Sequence, residues 1–244
     1  MLRNDGRSST QMRPLRFIPN FTKNAEGSVL VEYGETKVLC TVSVDDGVPP
    51  FLRNSSPAQG WLTAEYSMLP GSTTSRNRRE RPAPSGRSQE IQRLIGRAIR
   101  GVIDLTKCPD LTFTIDCDVL QADGGTRTAS ITGAYVALKL AIGKLQRQKR
   151  LNINPLHDAV AAVSVGLVNG NVLVDLNYEE DSRADLDMNV VYTQSGKFLE
   201  IQGTGERASF SKEQVIAIMD AAEEAIKPCF ELQLIAADGR EVEG

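Results

Sequence analysis

The chain has 244 residues, a formal net charge of -3 at pH 7, 41% hydrophobic residues and 24% charged residues. This composition is ordinary for a soluble globular protein. No apolar run approaches the roughly 20 residues needed to cross a bilayer, and the first residues lack the apolar core of a signal peptide. We therefore expect a cytoplasmic protein without a membrane partner. No linker-like stretch divides the chain, which predicts a single domain over residues 1–244.

The cysteines and the histidine limit the chemistry that this chain can perform. No CxxC spacing occurs, so we expect reduced, mostly buried thiols and no zinc site. The four cysteines are Cys40, Cys108, Cys117 and Cys229. The single histidine, His157, lies in an expected loop, which favours a structural role and leaves no Ser-His-Asp triad or two-histidine nuclease site. Catalysis would have to use carboxylates and arginines, with or without a metal ion.

In chain order, the alternation of apolar and polar residues predicts three β-hairpins. They are SVLVEYGETKVLCTVSV with a turn at Gly34-Glu35, AVAAVSVGLVNGNVLVDLNY with a turn at Asn169-Gly170, and MNVVYTQSGKFLEIQG with a turn at Ser195-Gly196. Three helices are interspersed with them: EIQRLIGRAIRGVIDL, the segment after DGGTRTAS, and a segment from Ser211 with Gln214 placed for a capping box. Hairpins separated by long helices predict an α+β fold with mixed sheets, and not a doubly wound parallel sheet.

The least regular segment, MLPGSTTSRNRRERPAPSGR, predicts a long exposed loop at about residues 67–87 that is rich in arginine. Its arginines are suited to contact the backbone of a polyanion without reading its sequence. They are Arg76, Arg78, Arg79 and Arg81. The alternative is that these arginines are exposed to solvent and bind nothing. Glu80 and the net negative charge of the chain favour this alternative.

The stretch DGGTRTAS lies where an alternating segment, TFTIDCDVLQA, gives way to a helix. Gly124 and Gly125 allow close approach of the backbone, Thr126 adds a hydroxyl, and Arg127 adds a planar set of charged donors. Together with a helix N-terminus, these groups predict a phosphate site. The GK[ST] ending of a Walker loop is missing, so no nucleoside triphosphate is implied. The alternative is a glycine-rich turn in which Arg127 has a structural role.

The helix that follows the arginine-rich loop carries a second candidate phosphate ligand. Arg93, Arg97 and Arg100 lie opposite its apolar stripe and are expected to face solvent or an interface. Arg87 instead projects with the apolar stripe if the helical phase extends back to it. An arginine there needs an anionic partner, which could be a phosphate or a carboxylate of this chain.

A third element is the acidic stretch DLNYEEDSRADLDMNVV. Asp175 is expected to end a strand and Asp181 to lie in a turn, and Asp185 and Asp187 share one face if the next strand has begun at Asp185. Clustered carboxylates of this kind hold a hard divalent cation or place a protonated acid beside a leaving oxygen. Taken alone, the stretch also fits a polar turn between strands.

Together these elements predict a reaction in which inorganic phosphate attacks a phosphodiester. This nucleophile is already anionic at neutral pH, so histidine is not required, whereas cations are needed to hold it against a like-charged target. A hydrolytic metal-dependent nuclease is an alternative, and a catalytically silent RNA-binding subunit is another, although the presence of both residue sets favours activity. QGTGERA has GxGxxA spacing, but too little chain follows for a dinucleotide-binding unit.

The chain resembles the ribonuclease PH family nearly end to end. The similarity is carried in order by RPLRFIPNFTKNAEGSVLVEYGETKVLCTVSV, GWLTAEYSMLP, SGRSQEIQRLIGRAIR, IDCDVLQADGGTRTASITGA and EEDSRADLDMNVV. The resemblance implies a compact α+β domain related to polynucleotide phosphorylase and the exosome core. It also implies six copies in a ring, a trimer of dimers, that trims the 3′ ends of tRNA precursors with phosphate, releases nucleoside diphosphates and can add nucleotides in reverse.

The same resemblance implies roles for individual residues. Arg87 and the run Gly125, Thr126 and Arg127 would bind phosphate. Asp181 and Asp187 would serve a magnesium (or manganese) ion and the leaving 3′ oxygen, with the division of the two roles left open. Arg76 and Arg79 would contact tRNA. Where the family often has a basic residue after the MLP segment, this chain has Gly71, which makes its affinity for tRNA the property in doubt.

Overall fold

A computed structural model describes residues 3–79, 84–205 and 207–244. Its first sheet has six strands, in the spatial order β10-β1-β2-β3-β5-β4. These are β1 (Leu15–Pro19), β2 (Gly27–Tyr33), β3 (Thr36–Asp46), β4 (Trp61–Met68), β5 (Leu111–Gln121) and β10 (Val242–Glu243). All neighbours pair antiparallel except β4 and β5, which pair parallel. A parallel pair needs a long crossover, and the chain between β4 and β5 supplies it with a helix, α1 (Gly86–Arg100).

The second sheet has four antiparallel strands in the order β7-β6-β8-β9. They are β6 (Val160–Val168), β7 (Asn171–Val174), β8 (Leu186–Thr193) and β9 (Phe198–Gly205). A short helix, α3 (Tyr178–Asp181), connects β7 to β8. This connection brings the acidic stretch to one end of the second sheet.

The central helix, α2 (Thr126–Arg147), packs between the two sheets. The Tyr33 hydroxyl on β2 donates to Thr132 Oγ1 at 3.1 Å, and the same oxygen accepts from Ala162 N on β6 at 3.0 Å. Close packing on β2 requires Gly27, since a Cβ there would lie 1.9 Å from the Ala137 carbonyl oxygen. Because α2 is covered on both sides, its first turn is held firmly in the middle of the molecule.

The last long helix, α4 (Lys212–Ala237), packs on the second sheet and on β1. Its N-terminus has the predicted capping box, in which Ser211 accepts from Gln214 N and Gln214 Oε1 accepts from Ser211 N. The buried side chains of both sheets and of α1, α2 and α4 form one continuous hydrophobic cluster. This cluster supports a single folding unit, and the single domain over residues 1–244 stays a prediction.

The predicted α+β class, the three hairpins and the three long helices are confirmed. Gly34, Asn169, Gly170 and Gly196 have positive φ angles at the predicted turns. The first helix is shorter at its C-terminal end than EIQRLIGRAIRGVIDL suggested, because it ends at Arg100 and the chain turns at Gly101. Val102 and Ile103 beyond it are buried without being helical, which explains why periodicity alone extended the helix too far.

All four cysteines are free and buried, as expected. None of the helices in the described ranges has the length and apolar character to cross a membrane.

Candidate active site

A cavity of about 400 Å³ lies where the ends of several elements meet. The C-terminal end of β4, the N-termini of α1 and α2, and the segment from α3 to β8 all contribute to it. It is lined by Tyr66, Met68, Thr73, Asn77, Arg78, Ser85, Arg87, Ser88, Ala122, Gly124, Gly125, Thr126, Arg127, Ser164, Tyr178, Asp181, Asp187 and Asn189. The structure therefore brings together all the predicted phosphate ligands and both predicted catalytic aspartates.

The phosphate loop, residues 122–127, begins after β5 ends at Gln121. Gly124 and Gly125 both lie in the left-handed region, with φ of 73° and 62°. A Cβ on Gly124 would lie 2.4 Å from the Leu176 carbonyl oxygen, so glycine is required for this close approach. Gly125 is the N-cap of α2 and brings no side chain to cap the first turn. The backbone N–H groups of that turn are consequently available to an anion in the cavity.

Thr126 joins the phosphate loop to the first sheet. Its hydroxyl lies 2.8 Å from the buried Tyr66 hydroxyl on β4. Burial raises the pKa of Tyr66, although the hydrogen bond to Thr126 and the positive charges of Arg87 and Arg127 act in the opposite direction. Tyr66 thus stays a neutral phenol that orients Thr126, and it feels the charge of both predicted phosphate arginines.

Arg127 is fixed from the side of the second sheet. Its Nη1 donates to Gln202 Oε1 at 2.9 Å, and Gln202 Nε2 in turn donates to Glu90 Oε1 at 2.5 Å. Arg127 Nη1 lies 3.9 Å from the same Glu90 oxygen, too far for a close ion pair. This arrangement orients the guanidinium at the cavity, so Arg127 has part of the role that the structural alternative gave it.

Arg87 lies in the first turn of α1, so the helical phase does extend back to it. It is exposed at the cavity and not buried under the apolar stripe. Farther along α1, Arg97 pairs with Glu200 at 2.5 Å. Arg100 donates to the Leu62 carbonyl oxygen at 2.9 Å and lies over the Trp61 ring. Arg97 and Arg100 therefore have partners within the chain, which the expectation of a solvent or interface role did not foresee.

The carboxylates belong to a second wall of the cavity, which the segment from α3 to β8 forms. Asp181 is the last residue of α3, and Asp187 lies on β8. Asn189 shares the strand face of Asp187 and its Nδ2 approaches Asp187 Oδ2 at 3.5 Å. Asp181 was expected in a turn, but Asn177 and Glu180 form a capping box that makes this segment a short helix.

Two other aspartates differ from their expected positions. Asp175 is not the last residue of a strand: β7 ends at Val174, and Asp175 is buried in a left-handed turn with φ of 53°. Asp185 precedes β8, which begins at Leu186, and does not share a strand face with Asp187. Within the part of the chain that the structure describes, neither side chain lines the cavity.

The donor set fits a hard divalent cation. Asp181 and Asp187 offer carboxylate oxygens, and Asn189 can offer an amide oxygen. Magnesium is commonly bound by one or two carboxylates together with substrate phosphates, whereas a fully caged ion needs more ligands from the protein. No group of three or more His, Cys, Asp or Glu suited to a metal occurs among the described residues. The site therefore fits an ion that is shared with a bound substrate.

The arginine-rich loop between β4 and α1, here called the arginine loop, carries arginines in two kinds of position. Arg78 lines the cavity together with Thr73 and Asn77. Arg76 and Arg79 are exposed, and neither belongs to the cavity lining within the described ranges. Arg81 and Glu80, which the sequence also suggested for this loop, lie outside the described residues.

Several residues of the cavity were not predicted. Asn189 could have been found, because strand alternation places it on the face of Asp187. Tyr66 occurs in an alternating strand, but no local signal shows that its hydroxyl reaches Thr126, 60 residues away. The single histidine, His157, is exposed and does not line the cavity, in agreement with the preference against a catalytic role.

Comparison with known proteins matches two consecutive parts of the chain to two models of one family. Residues 11–142 match the model of the 3′ exoribonuclease family, domain 1, and residues 158–225 match that of domain 2. A ribonuclease PH of Corynebacterium kroppenstedtii is 57% identical over 95% of this chain and 90% of its own length. A ribonuclease PH of Geobacillus sp. is 54% identical over 95% of this chain and 91% of its own length.

Among solved structures, an Archaeoglobus fulgidus exosome with RNA bound to the active site superposes with a TM-score of 0.81. It is 25% identical, and the match covers 94% of this chain and 91% of the archaeal chain. The rice protein Rrp46 superposes with a TM-score of 0.78 at 19% identity, over 96% of this chain and 100% of the rice chain, which supports the fold alone. The chain belongs to the RNase PH family of 3′ exoribonucleases.

Proposed function

We propose that this protein is a phosphate-dependent 3′ to 5′ exoribonuclease that trims tRNA precursors and releases nucleoside diphosphates. The observation that carries the proposal is the composition of one cavity. Arg87, Arg127 and the open N-terminus of α2 line it together with Asp181 and Asp187. A phosphodiester bound in this cavity would have a nucleophile site at the first three groups and groups for its leaving oxygen at the two aspartates.

Inorganic phosphate binds on the wall formed by the phosphate loop and Arg87. The backbone N–H groups at the start of α2, the Thr126 hydroxyl and the guanidinium groups of Arg87 and Arg127 are its donors. Their positive charge offsets the repulsion between phosphate and the phosphodiester that it attacks. No side chain has to remove a proton from a water molecule, which agrees with the position of His157 outside the cavity lining.

The attack forms a bond from a phosphate oxygen to the phosphorus of the terminal nucleotide and breaks the bond from that phosphorus to the 3′ oxygen of the preceding residue. The departing oxygen takes up a proton, for which Asp181 and Asp187 are the candidates. The other carboxylate helps to hold the metal ion. A bound magnesium or manganese ion would neutralise part of the negative charge on the scissile phosphate.

The reverse reaction uses the same groups. Phosphorolysis exchanges one phosphate bond for another, so its equilibrium lies close to balance. Given nucleoside diphosphates and little inorganic phosphate, the protein should add nucleotides to an RNA 3′ end. If no extension occurs under these conditions, the phosphorolytic mechanism is weakened.

The RNA is held by the arginine loop. Arg76 and Arg79 are exposed and would contact phosphates of the tRNA body, while Arg78 would contact the strand as it enters the cavity. Gly71 is exposed, and a Cβ there would have no neighbour within 4 Å. A basic side chain at this position would therefore have room. Arg78 supplies positive charge in the same loop.

The assembly that we propose is a ring of six copies built as a trimer of dimers, working in the cytoplasm. Phe198, Leu199 and Ile201 support an interface, because all three are at least 36% exposed on β9, the edge strand of the second sheet. Exposed apolar side chains on an edge strand favour contact with another protein surface. Light scattering of the purified protein would test the copy number.

We also propose that residues 1–244 unfold as one unit, because both sheets share a hydrophobic core. The single tryptophan, Trp61, reports on the first sheet, and far-UV circular dichroism reports on the whole chain. Coincident denaturation curves support one domain, and separate transitions contradict it.

A hydrolytic nuclease that uses the same aspartates is the second candidate, and a silent RNA-binding subunit is the third. Purified protein is incubated with a tRNA carrying extra 3′ nucleotides and magnesium, with and without inorganic phosphate. Nucleoside diphosphates that appear only with phosphate support the proposal. Monophosphates without phosphate indicate hydrolysis, and the absence of product in both samples indicates the silent subunit.

A further inference from the structure

A buried charge network lies behind the cavity and connects its two walls. It contains Arg3, Arg7 and Arg13 of the N-terminal segment, Asp175 of the turn after β7, and Glu180 of α3. Each of these residues is at most 7% exposed. Among the described residues, none of the five belongs to the cavity lining, so none is placed to touch a substrate.

Arg13 contacts both walls at once. Its Nε and Nη2 donate to the two carboxylate oxygens of Asp175 at 2.9 and 2.7 Å, and its backbone N–H donates to Asp175 Oδ2 at 2.8 Å. The remaining Nη1 donates to the backbone carbonyl of Asp123 in the phosphate loop. One guanidinium thus binds the start of the phosphate loop and the turn that leads to Asp181.

Further hydrogen bonds fix the phosphate loop relative to that turn. Asp123 Oδ1 accepts from Tyr178 N at 3.1 Å, and Asp123 N donates to Thr36 Oγ1 at 2.9 Å. The Thr36 hydroxyl donates to the Gly124 carbonyl at 2.6 Å. These contacts leave the loop little freedom to shift without moving α3.

On the carboxylate side, Arg3 forms a bidentate pair with Glu180, with Nε donating to Oε1 at 2.6 Å and Nη2 donating to Oε2. Glu180 also accepts from Asn177 N at 3.1 Å in the capping box of α3. The residue after it is Asp181. The carbonyl of Asp175 accepts from both Arg3 and Arg7, at 2.9 and 3.0 Å, which holds the left-handed turn.

We propose that Arg13 is a positioning residue that sets the separation between the phosphate loop and the carboxylate segment. The inference rests on the proposed phosphate site. It adds to that site a positioning contact from Arg13, which is 110 residues away from Asp123 in sequence. Its positive charge is matched by Asp175, so it orients the site and leaves the attraction of phosphate to Arg87 and Arg127. A shorter or neutral side chain at position 13 releases the Asp123 carbonyl and lets the loop move away from α3.

The test uses Arg13→Lys, which keeps the charge but cannot bind both walls, in the full-length protein. Asp175→Asn tests the same contact from its partner. Arg16→Lys is the matched control, because Arg16 is a more exposed arginine of the neighbouring strand β1 that pairs with Glu32 and Glu241. The readouts are KM for inorganic phosphate, KM for tRNA, kcat, and the rise in melting temperature that inorganic phosphate produces without RNA.

For Arg13→Lys and Asp175→Asn we expect KM for phosphate to rise about 10-fold to 100-fold, with KM for tRNA within about twofold of the unchanged protein. The melting temperature should respond less to phosphate, and Arg16→Lys should behave as the unchanged protein. A merely structural role would reduce the active fraction and leave both KM values unchanged, and that result overturns the proposal. Failure of both variants to fold also contradicts it, because the network would then determine folding and not geometry.

The proposed function fails independently of this result. If the unchanged protein degrades RNA without phosphate and its melting temperature does not respond to phosphate, the phosphate site itself is wrong. If the unchanged protein depends on phosphate and the variants keep its KM for phosphate, only the role of Arg13 is wrong.

Discussion

The phosphate loop and the arginine loop both carry arginines, but they are built differently. In the phosphate loop, Gly124 packs against the backbone at residues 176–178, and Arg127 is oriented by Gln202. In the arginine loop, the backbone is held by bonds such as Asn77 N to the Pro70 carbonyl at 2.8 Å, while Arg76 and Arg79 are exposed. A fixed arginine suits a reacting group, whereas exposed arginines suit a substrate whose backbone varies in shape.

The largest effect should follow from removing the fixed charge. Arg127→Ala is expected to lower kcat/KM for phosphorolysis by about 10²-fold to 10³-fold, because it removes a preorganised donor at the site of charge development. Steady-state kinetics with varied phosphate will measure it. Arg93→Ala is the control on the exposed side of α1, and equal losses in the two variants would contradict the assignment of Arg127.

A loss of similar or smaller size should follow at the carboxylate wall. Asp181→Asn and Asp187→Asn are each expected to lower kcat by about 10²-fold, since general acid catalysis and metal binding both need a carboxyl group. Asp185→Asn is matched in charge and lies outside the described cavity lining. Titration with magnesium separates the roles, because only the variant that lost a metal ligand should recover at high magnesium.

The arginine loop should affect substrate binding and not chemistry. Replacing Arg76 and Arg79 together by alanine should raise KM for tRNA and reduce the slope of log affinity against log salt by roughly 1.4 to 1.8, at about 0.7 to 0.9 per lost contact. KM for phosphate should be unchanged. An unaltered salt slope would remove these two residues from RNA binding.

The smallest effect should separate Arg78 from its neighbours. Arg78→Ala should raise KM for a short single-stranded oligonucleotide by a few-fold, because Arg78 lines the cavity through which the 3′ end passes. The Arg76 and Arg79 variant should leave that KM unchanged, because a short substrate does not reach those side chains. Equal effects of the two variants on the short substrate would mean that the loop acts only through its total charge.

The phosphate wall could be predicted because its signal is local. Strand, glycines, threonine, arginine and helix follow one another within DGGTRTAS, and backbone geometry then decides where the donors point. The helical position of Arg87 could be predicted from the apolar periodicity of α1. The hairpins were likewise set by short-range turn residues such as Asn169 and Gly170.

The remainder depends on contacts between distant segments. Asp175 was assigned to a strand end because nothing near it in the sequence reveals Arg13, 162 residues away, as its buried partner. Asp181 was assigned to a turn because a four-residue helix gives almost no periodic signal. Tyr66 and Thr126 meet only after β4 and α2 have packed. Local patterns and the family resemblance therefore predicted residues that line one cavity, and they missed the residues that hold this lining in place.

The most direct test of the central claim is to follow isotopically labelled inorganic phosphate during degradation of a tRNA with an extended 3′ end. If the cavity holds phosphate as the nucleophile, the label appears in the β-phosphate of the released nucleoside diphosphates, and Arg127→Ala greatly reduces its incorporation. Release of unlabelled nucleoside monophosphates at the same rate with and without phosphate would contradict the account.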